Sequence, residues 1–111
     1  MFFRNLFQRP DVAEITPEET RVRQRAGAII VDVRELHEWH SGHIPGATHI
    51  PLGTLAHRVH ELDTAKEIVT VCRSGHRSLM AAQTLQRAGF TQVSSMAGGM
   101  LDWMDTKTTT H

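Results

Sequence analysis

The one cysteine of the chain, Cys72, opens the run Cys72-Arg73-Ser74-Gly75-His76-Arg77-Ser78. It stands at the end of the apolar stretch Ile68-Val69-Thr70-Val71, whose pattern reads as a short buried strand. Beyond it, Ser78 to Ala88 reads as a helix stopped by Gly89. A cysteine between a strand end and a helix start lies under unpaired backbone N–H groups and the positive end of the helix dipole. Such surroundings depress a thiol pKa and hold the thiolate, which is the nucleophilic form. Two arginines in the same loop add positive charge. Gly75 lets the backbone turn so that successive N–H groups converge on the sulfur, an anion-binding nest, although it serves equally as a turn glycine. Ser78 reads as a cap for the following helix. A free cysteine is more often a small buried hydrophobe, but glycine and two arginines are poor neighbours for an apolar core. The chemistry indicated is that of an anionic sulfur nucleophile.

The rest of the chain must supply the scaffold for that loop. Its 111 residues suffice for one domain with a modest core. Hydrophobic content of 40% and charged content of 22% are those of an ordinary soluble protein. Twelve basic residues balance twelve acidic ones, so the formal charge is zero and no broad footprint for nucleic acid exists. A single cysteine cannot close an internal disulfide, which fits a reducing interior. No apolar run approaches the ~20 residues of a membrane span, and the N-terminus has no secretory h-region. A cytoplasmic protein is the expectation.

Strand-like runs alternate with helical stretches, the pattern of an α/β fold with a mainly parallel sheet. Residues 12–15 form a first strand candidate. Thr16-Pro17-Glu18-Glu19 then gives an N-cap, a proline at the first helical position and a capping-box spacing. That helix should end near Ala26-Gly27. Residues 28–33 are the clearest buried strand. Thr54 to Leu62 reads as a helix with Leu55, Val59 and Leu62 on one face. Residues 93–96 are a last strand, followed by Gly98-Gly99 and a short helix through Trp103. Gly42, Pro45 and Gly46 read as residues that shape the backbone.

Asp32-Val33-Arg34, Glu38-Trp39, Gly42-His43-Ile44-Pro45-Gly46-Ala47 and Ile50-Pro51 together resemble the rhodanese family. Cys72 to Ser78 resembles that family's active-site loop, and Ala88-Gly89-Phe90, Gly98-Gly99 and Trp103 its C-terminal pattern. The resemblance spans about residues 12–105, with the motifs in order. It implies a single-domain sulfurtransferase with a mainly parallel sheet of about five strands and helices on both faces. It further implies that Cys72 takes the outer sulfur of thiosulfate or a similar donor as a persulfide and yields it to cyanide or a thiol. No cofactor is implied. Arg73, Ser74, Gly75, His76, Arg77 and Ser78 would bind substrate through loop amides and side chains, with Arg73 and His76 at the pocket mouth. Arg77 faces substrate or turns inward to a carboxylate, Asp32 or Glu38, and the inward role is favoured because a partly buried guanidinium needs a partner. Asp32, Arg34, Glu38 and His43 are expected as scaffold around the site.

Three alternatives bear on function. A related phosphatase or arsenate reductase needs five residues between cysteine and arginine, whereas four separate Cys72 from Arg77. A regulatory docking module, or a sulfur carrier serving a protein acceptor, would use the same fold. His37, His40 and His43, and likewise His57 and His60, recur at three-residue spacing, but no completing carboxylate or thiol pattern accompanies them and no metal is expected. By domain, residues 1–10 form an N-terminal aromatic segment, 11–105 the rhodanese domain and 106–111 a polar tail. Phe2, Phe3, Leu6 and Phe7 would share a helix face, which makes self-association through residues 1–9 an expectation beside docking on the domain itself.

Overall fold

The computed structural model describes the backbone of residues 12–109 and the side chains of residues 12–104. The aromatic segment 1–10, with its expected self-association, lies outside the described residues. The elements in chain order are β1 (Ala13–Ile15), α1 (Pro17–Arg25), β2 (Ile29–Asp32), α2 (Leu36–His40), β3 (Thr48–His49), α3 (Leu52–Arg58, continued by a 3-10 turn at Val59–Glu61), β4 (Ile68–Val71), α4 (His76–Arg87), β5 (Val93–Met96) and α5 (Gly99–Thr109).

Local chemistry accounts for several boundaries. Thr16 caps α1, its hydroxyl accepting the Glu19 N–H at 3.0 Å, and Pro17 opens the helix. Gly75 is the N-cap of α4 at φ 105°, so α4 starts at His76 rather than at Ser78. Ser78 is therefore not a cap but a first-turn residue, because the left-handed glycine has already turned the chain into the helix. Two elements escape the hydrophobic pattern. α2 has five residues and none of them is buried, while β3 has only two residues. α5 runs on past Trp103 to Thr109, since neither glycine nor proline interrupts it after Gly99.

The five strands form one parallel sheet in the order β1-β5-β4-β2-β3. Strand periodicity sorts the side chains onto two faces. Along β4 and its extension, Ile68 and Cys72 join the core that includes Leu55, Ala81, Ala82 and Leu85, from α3 and α4. Val69 and Val71 join the opposite core with Met96, Met100 and Trp103, beneath α5. Arg21 of α1 closes that side, its guanidinium 3.9 Å from the Trp103 ring centroid. The connection from β2 leads outward to β3 and that from β4 leads the other way to β5. The C-terminal ends of β2 and β4 thus flank a topological switch point, where parallel α/β sheets place their ligands. Among the described residues no helix is long and apolar enough to cross a membrane.

Candidate active site

Cys72 follows the last residue of β4 and its side chain is 1% exposed. The loop folds over it so that Sγ accepts the Gly75 N–H at 3.1 Å and the Ser78 N–H at 3.3 Å. The Ser78 hydroxyl lies 3.5 Å from Sγ. Burial pushes the Cys72 thiol up, but it is outweighed by hydrogen bonds from the Ser78 hydroxyl and from the N–H groups of Ser78, Gly75 and Ser74. The thiol consequently stands below its ordinary value of 9.0. Backbone dipoles aimed at one point favour the anionic form of the sulfur without any neighbouring base.

The loop is gripped from behind by α5. Met100 N–H donates to the Cys72 carbonyl at 2.8 Å, and Leu101 N–H to the Arg73 carbonyl at 3.1 Å. This approach requires Gly99, whose φ is 60° and where any Cβ would collide with the Arg73 carbonyl and the Cys72 oxygen. Gly99 is a site-building residue that its place in the sequence does not reveal as such, because its partner lies 26 positions earlier in the chain.

Arg77 turns away from the loop. Its guanidinium makes a two-pronged pair with Glu38 of α2, at 2.7 and 2.8 Å. Arg77 holds the Glu38 carboxyl down at about 2, and Glu38 in turn raises Arg77. Of the two carboxylates expected as partners, Glu38 is the one used. Asp32 is taken by Arg34, with the shortest contact at 2.7 Å and both side chains buried. Arg34 also donates to the Gly42 carbonyl at 2.8 Å, so this pair ties the end of β2 to the loop after α2. His43 is exposed. Its Nδ1 lies 2.9 Å from the Trp39 carbonyl, and its ring stacks on the Trp39 indole at 3.5 Å between centroids. His49 stacks against the same indole at 4.7 Å, so two imidazoles contact Trp39. Among the described residues no three His, Cys, Asp or Glu side chains converge as a metal site.

Arg73, Ser74 and His76 are exposed on the loop. Arg73 borders a hollow of about 240 Å³ whose other walls include Arg34, His37, Met100, Leu101 and Met104. His76 is not among the residues lining that hollow. A larger depression of about 430 Å³ lies elsewhere, between α1 and β5, but its charged lining residues Arg23 and Glu67 are already paired at 2.6 Å. The cysteine thiol, the amide cradle and a free cation therefore come together only at the loop after β4, among the described residues.

A parallel α/β domain with an amide-cradled cysteine at its switch point defines the class. Residues 16–106 match the rhodanese-like domain family, and the chain belongs to that family. It is 35% identical over 96 residues to the thiosulfate sulfurtransferase GlpE of Stutzerimonas stutzeri, covering 86% of this chain and 88% of that protein. It is 49% identical over 74 residues to Bacillus subtilis YrkF, named as a sulfur carrier. That match takes in 67% of this chain but only 40% of YrkF, so the chain spans less than half of that relative's length. The human single-domain sulfurtransferase TSTD1 superposes with a TM-score of 0.71 at 26% identity, covering 86% of this chain and 96% of that one.

Proposed function

We propose that this chain is a sulfurtransferase that moves a sulfane sulfur from thiosulfate, or a similar persulfide or polysulfide, to a nucleophilic acceptor through a Cys72 persulfide. The observation that carries the reading is the Cys72 Sγ held by the Gly75 and Ser78 amides with its thiol pulled below the ordinary value. The similarity to GlpE supports thiosulfate as donor.

The Cys72 thiolate attacks the outer sulfur of thiosulfate. As the new S–S bond forms, the donor's S–S bond breaks and sulfite departs with its electron pair. Cyanide or a thiolate then attacks the outer sulfur of the persulfide, and the Cys72 thiolate is the leaving group. The thiolate is ready before the donor arrives, so the first step needs no general base. The cradle amides are already oriented for anionic sulfur and cost no reorganisation during the reaction. Arg73 and His76, exposed on the loop, meet the oxyanion end of the donor, whereas Arg77 sets the loop through Glu38. With Arg77 committed to Glu38 and the loop one residue short, a phosphoryl group lacks the arginine it would need.

The similarity to YrkF favours a second reading, in which the Cys72 persulfide is handed to a protein acceptor. Intact mass of the purified chain, taken before and after thiosulfate and again after cyanide, tests both. One added sulfur on Cys72 that leaves as thiocyanate is the expected result. Loading by polysulfide but not thiosulfate replaces the donor, and loading released only by a protein thiol supports the carrier. No loading from any donor overturns the proposal.

A further inference from the structure

Strand alternation puts Ser95 on the same side of the sheet as Cys72 and Ser78. In β5, Val93 faces the core around Leu85, and Ser94 faces the other way towards Arg23, 3.5 Å distant. Ser95 then returns to the first face and pairs in register with Thr70 of β4. There its Oγ is 2.7 Å from Ser78 Oγ, and both side chains are fully buried. A small side chain suits this buried position, but packing alone does not call for a hydroxyl. A buried hydroxyl is retained at a cost unless it has a partner.

The direction of the hydrogen bond follows from counting protons. Ser95 Oγ has one proton, and its only side-chain partner among the described residues is Ser78 Oγ. The Ser95 hydroxyl must therefore donate to Ser78. Ser78 is left to donate elsewhere, and its choices are the Gly75 carbonyl at 3.1 Å and Cys72 Sγ at 3.5 Å. With Cys72 as a thiol, S–H donates to Ser78 Oγ and Ser78 donates to Gly75. On ionisation the proton leaves Sγ for solvent, and the Ser78 O–H rotates from Gly75 to the thiolate. The Gly75 carbonyl keeps the Leu79 N–H at 3.4 Å, while the Thr70 hydroxyl holds the Ser78 carbonyl at 2.8 Å. No proton passes along the hydroxyls, and the Ser95–Ser78 bond survives in both states.

We propose that Ser95 is a positioning residue for the Cys72 nucleophile: by donating to Ser78 it keeps the Ser78 proton free to turn to the sulfur when the thiol ionises. A donor whose oxygen already accepts a hydrogen bond is polarised and donates more strongly, by roughly 10–30% per bond. Applied to a charge-assisted bond, that gain corresponds to about a 1.3- to fivefold change in thiolate population. The charged groups around the site are Arg77 of α4, which interacts electrostatically with Cys72 and is paired with Glu38 of α2, Arg73 in the loop, and Asp102 of α5, which packs against Gly98. None of them contacts Ser95.

The inference takes Cys72 as the nucleophile of the proposed reaction, but its test reads the thiol alone. The rate of alkylation of Cys72 by iodoacetamide is followed against pH in the whole chain, with no sulfur donor present. Ser95→Ala should raise the midpoint and lower reactivity below it by up to about fivefold. In a Ser78→Ala background the same change should have no further effect. Ser95→Thr and Ser95→Val share a shape and differ in the hydroxyl. Threonine should keep the parental midpoint and valine should shift it, which preserves the test if alanine fails to fold. An unchanged midpoint in Ser95→Ala or Ser95→Val overturns the proposal. So does an equal shift with Ser78 already removed, since the effect would then not pass through Ser78.

Discussion

Replacing Glu38 by glutamine tests what keeps Arg77 out of the loop. The carboxylate takes two bonds from Arg77, at 2.7 and 2.8 Å, and a third from the Glu35 N–H at 2.9 Å. Arg77 lowers its pKa from an ordinary 4.5 to about 2, a drop of roughly 2.5 that corresponds to about 3 kcal/mol of preference for the ionised form. Glutamine keeps the shape and one acceptor oxygen, so about 1–2 kcal/mol of this should be lost at pH 7. For a domain of this size that lowers Tm by roughly 4–10 °C. Because the folded-state pKa is depressed, the stabilisation is complete above about 4.5 and is lost as pH falls through about 2. Urea unfolding of the parent and Glu38→Gln should show a constant gap between roughly pH 7 and 5 that narrows steadily on going to pH 2.5. A gap undiminished at low pH, or none at pH 7, would refute the reasoning. A large loss of donor affinity in Glu38→Gln with stability unchanged would refute the positioning role of Arg77 as well.

Cys72→Ser should abolish sulfur loading by mass while the thermal melt stays cooperative, because the side chain shrinks slightly in place. Arg73→Ala should raise KM for thiosulfate more than for a neutral donor such as an organic polysulfide, as the exposed guanidinium serves the donor's charge. Equal losses for both donors would remove Arg73 from the mouth. Gly99→Ala should be the most damaging of these small substitutions. The new Cβ meets the Arg73 carbonyl at φ 60°, so α5 must release its bonds to the loop. A loss of stability of about 2 kcal/mol or more, together with an upward shift of the Cys72 alkylation midpoint, is expected.

The sequence reveals the fold where burial imposes a period and reveals the loop where residue types conflict with burial. Residues 68–71 are readable as a strand because every one of them is buried. The Cys72 cradle is readable because a glycine and two arginines do not belong beside an apolar thiol. α2 stays hidden for the converse reason: none of its residues is buried, so no hydrophobic stripe marks it. The start of α4 is misplaced by two residues because serine is a commoner cap than a left-handed glycine. Glu38 can be narrowed to one of two partners for Arg77 from sequence, but choosing it over Asp32 requires knowing that Arg34 folds back two residues onto Asp32. Gly99 and Ser95 are the hardest to read. Each acts on the loop from an element distant in the chain, and neither residue type signals chemistry by itself.

The stacked rings beside the site also give the protein a built-in optical probe. It has two tryptophans and no tyrosine, so its ultraviolet emission comes from Trp39 and Trp103 alone. Trp103 lies under the Arg21 guanidinium, on the α5 face of the sheet. Trp39 stacks with two imidazoles and adjoins Glu38 in the chain, on the side of the sheet end where Arg77 is anchored. One indole stacks with imidazole rings and the other lies under a guanidinium, so replacing either tryptophan by phenylalanine isolates the emission of the other. The fluorescence of the two unlabelled variants therefore separates events at the loop anchor from events in the core beneath α5.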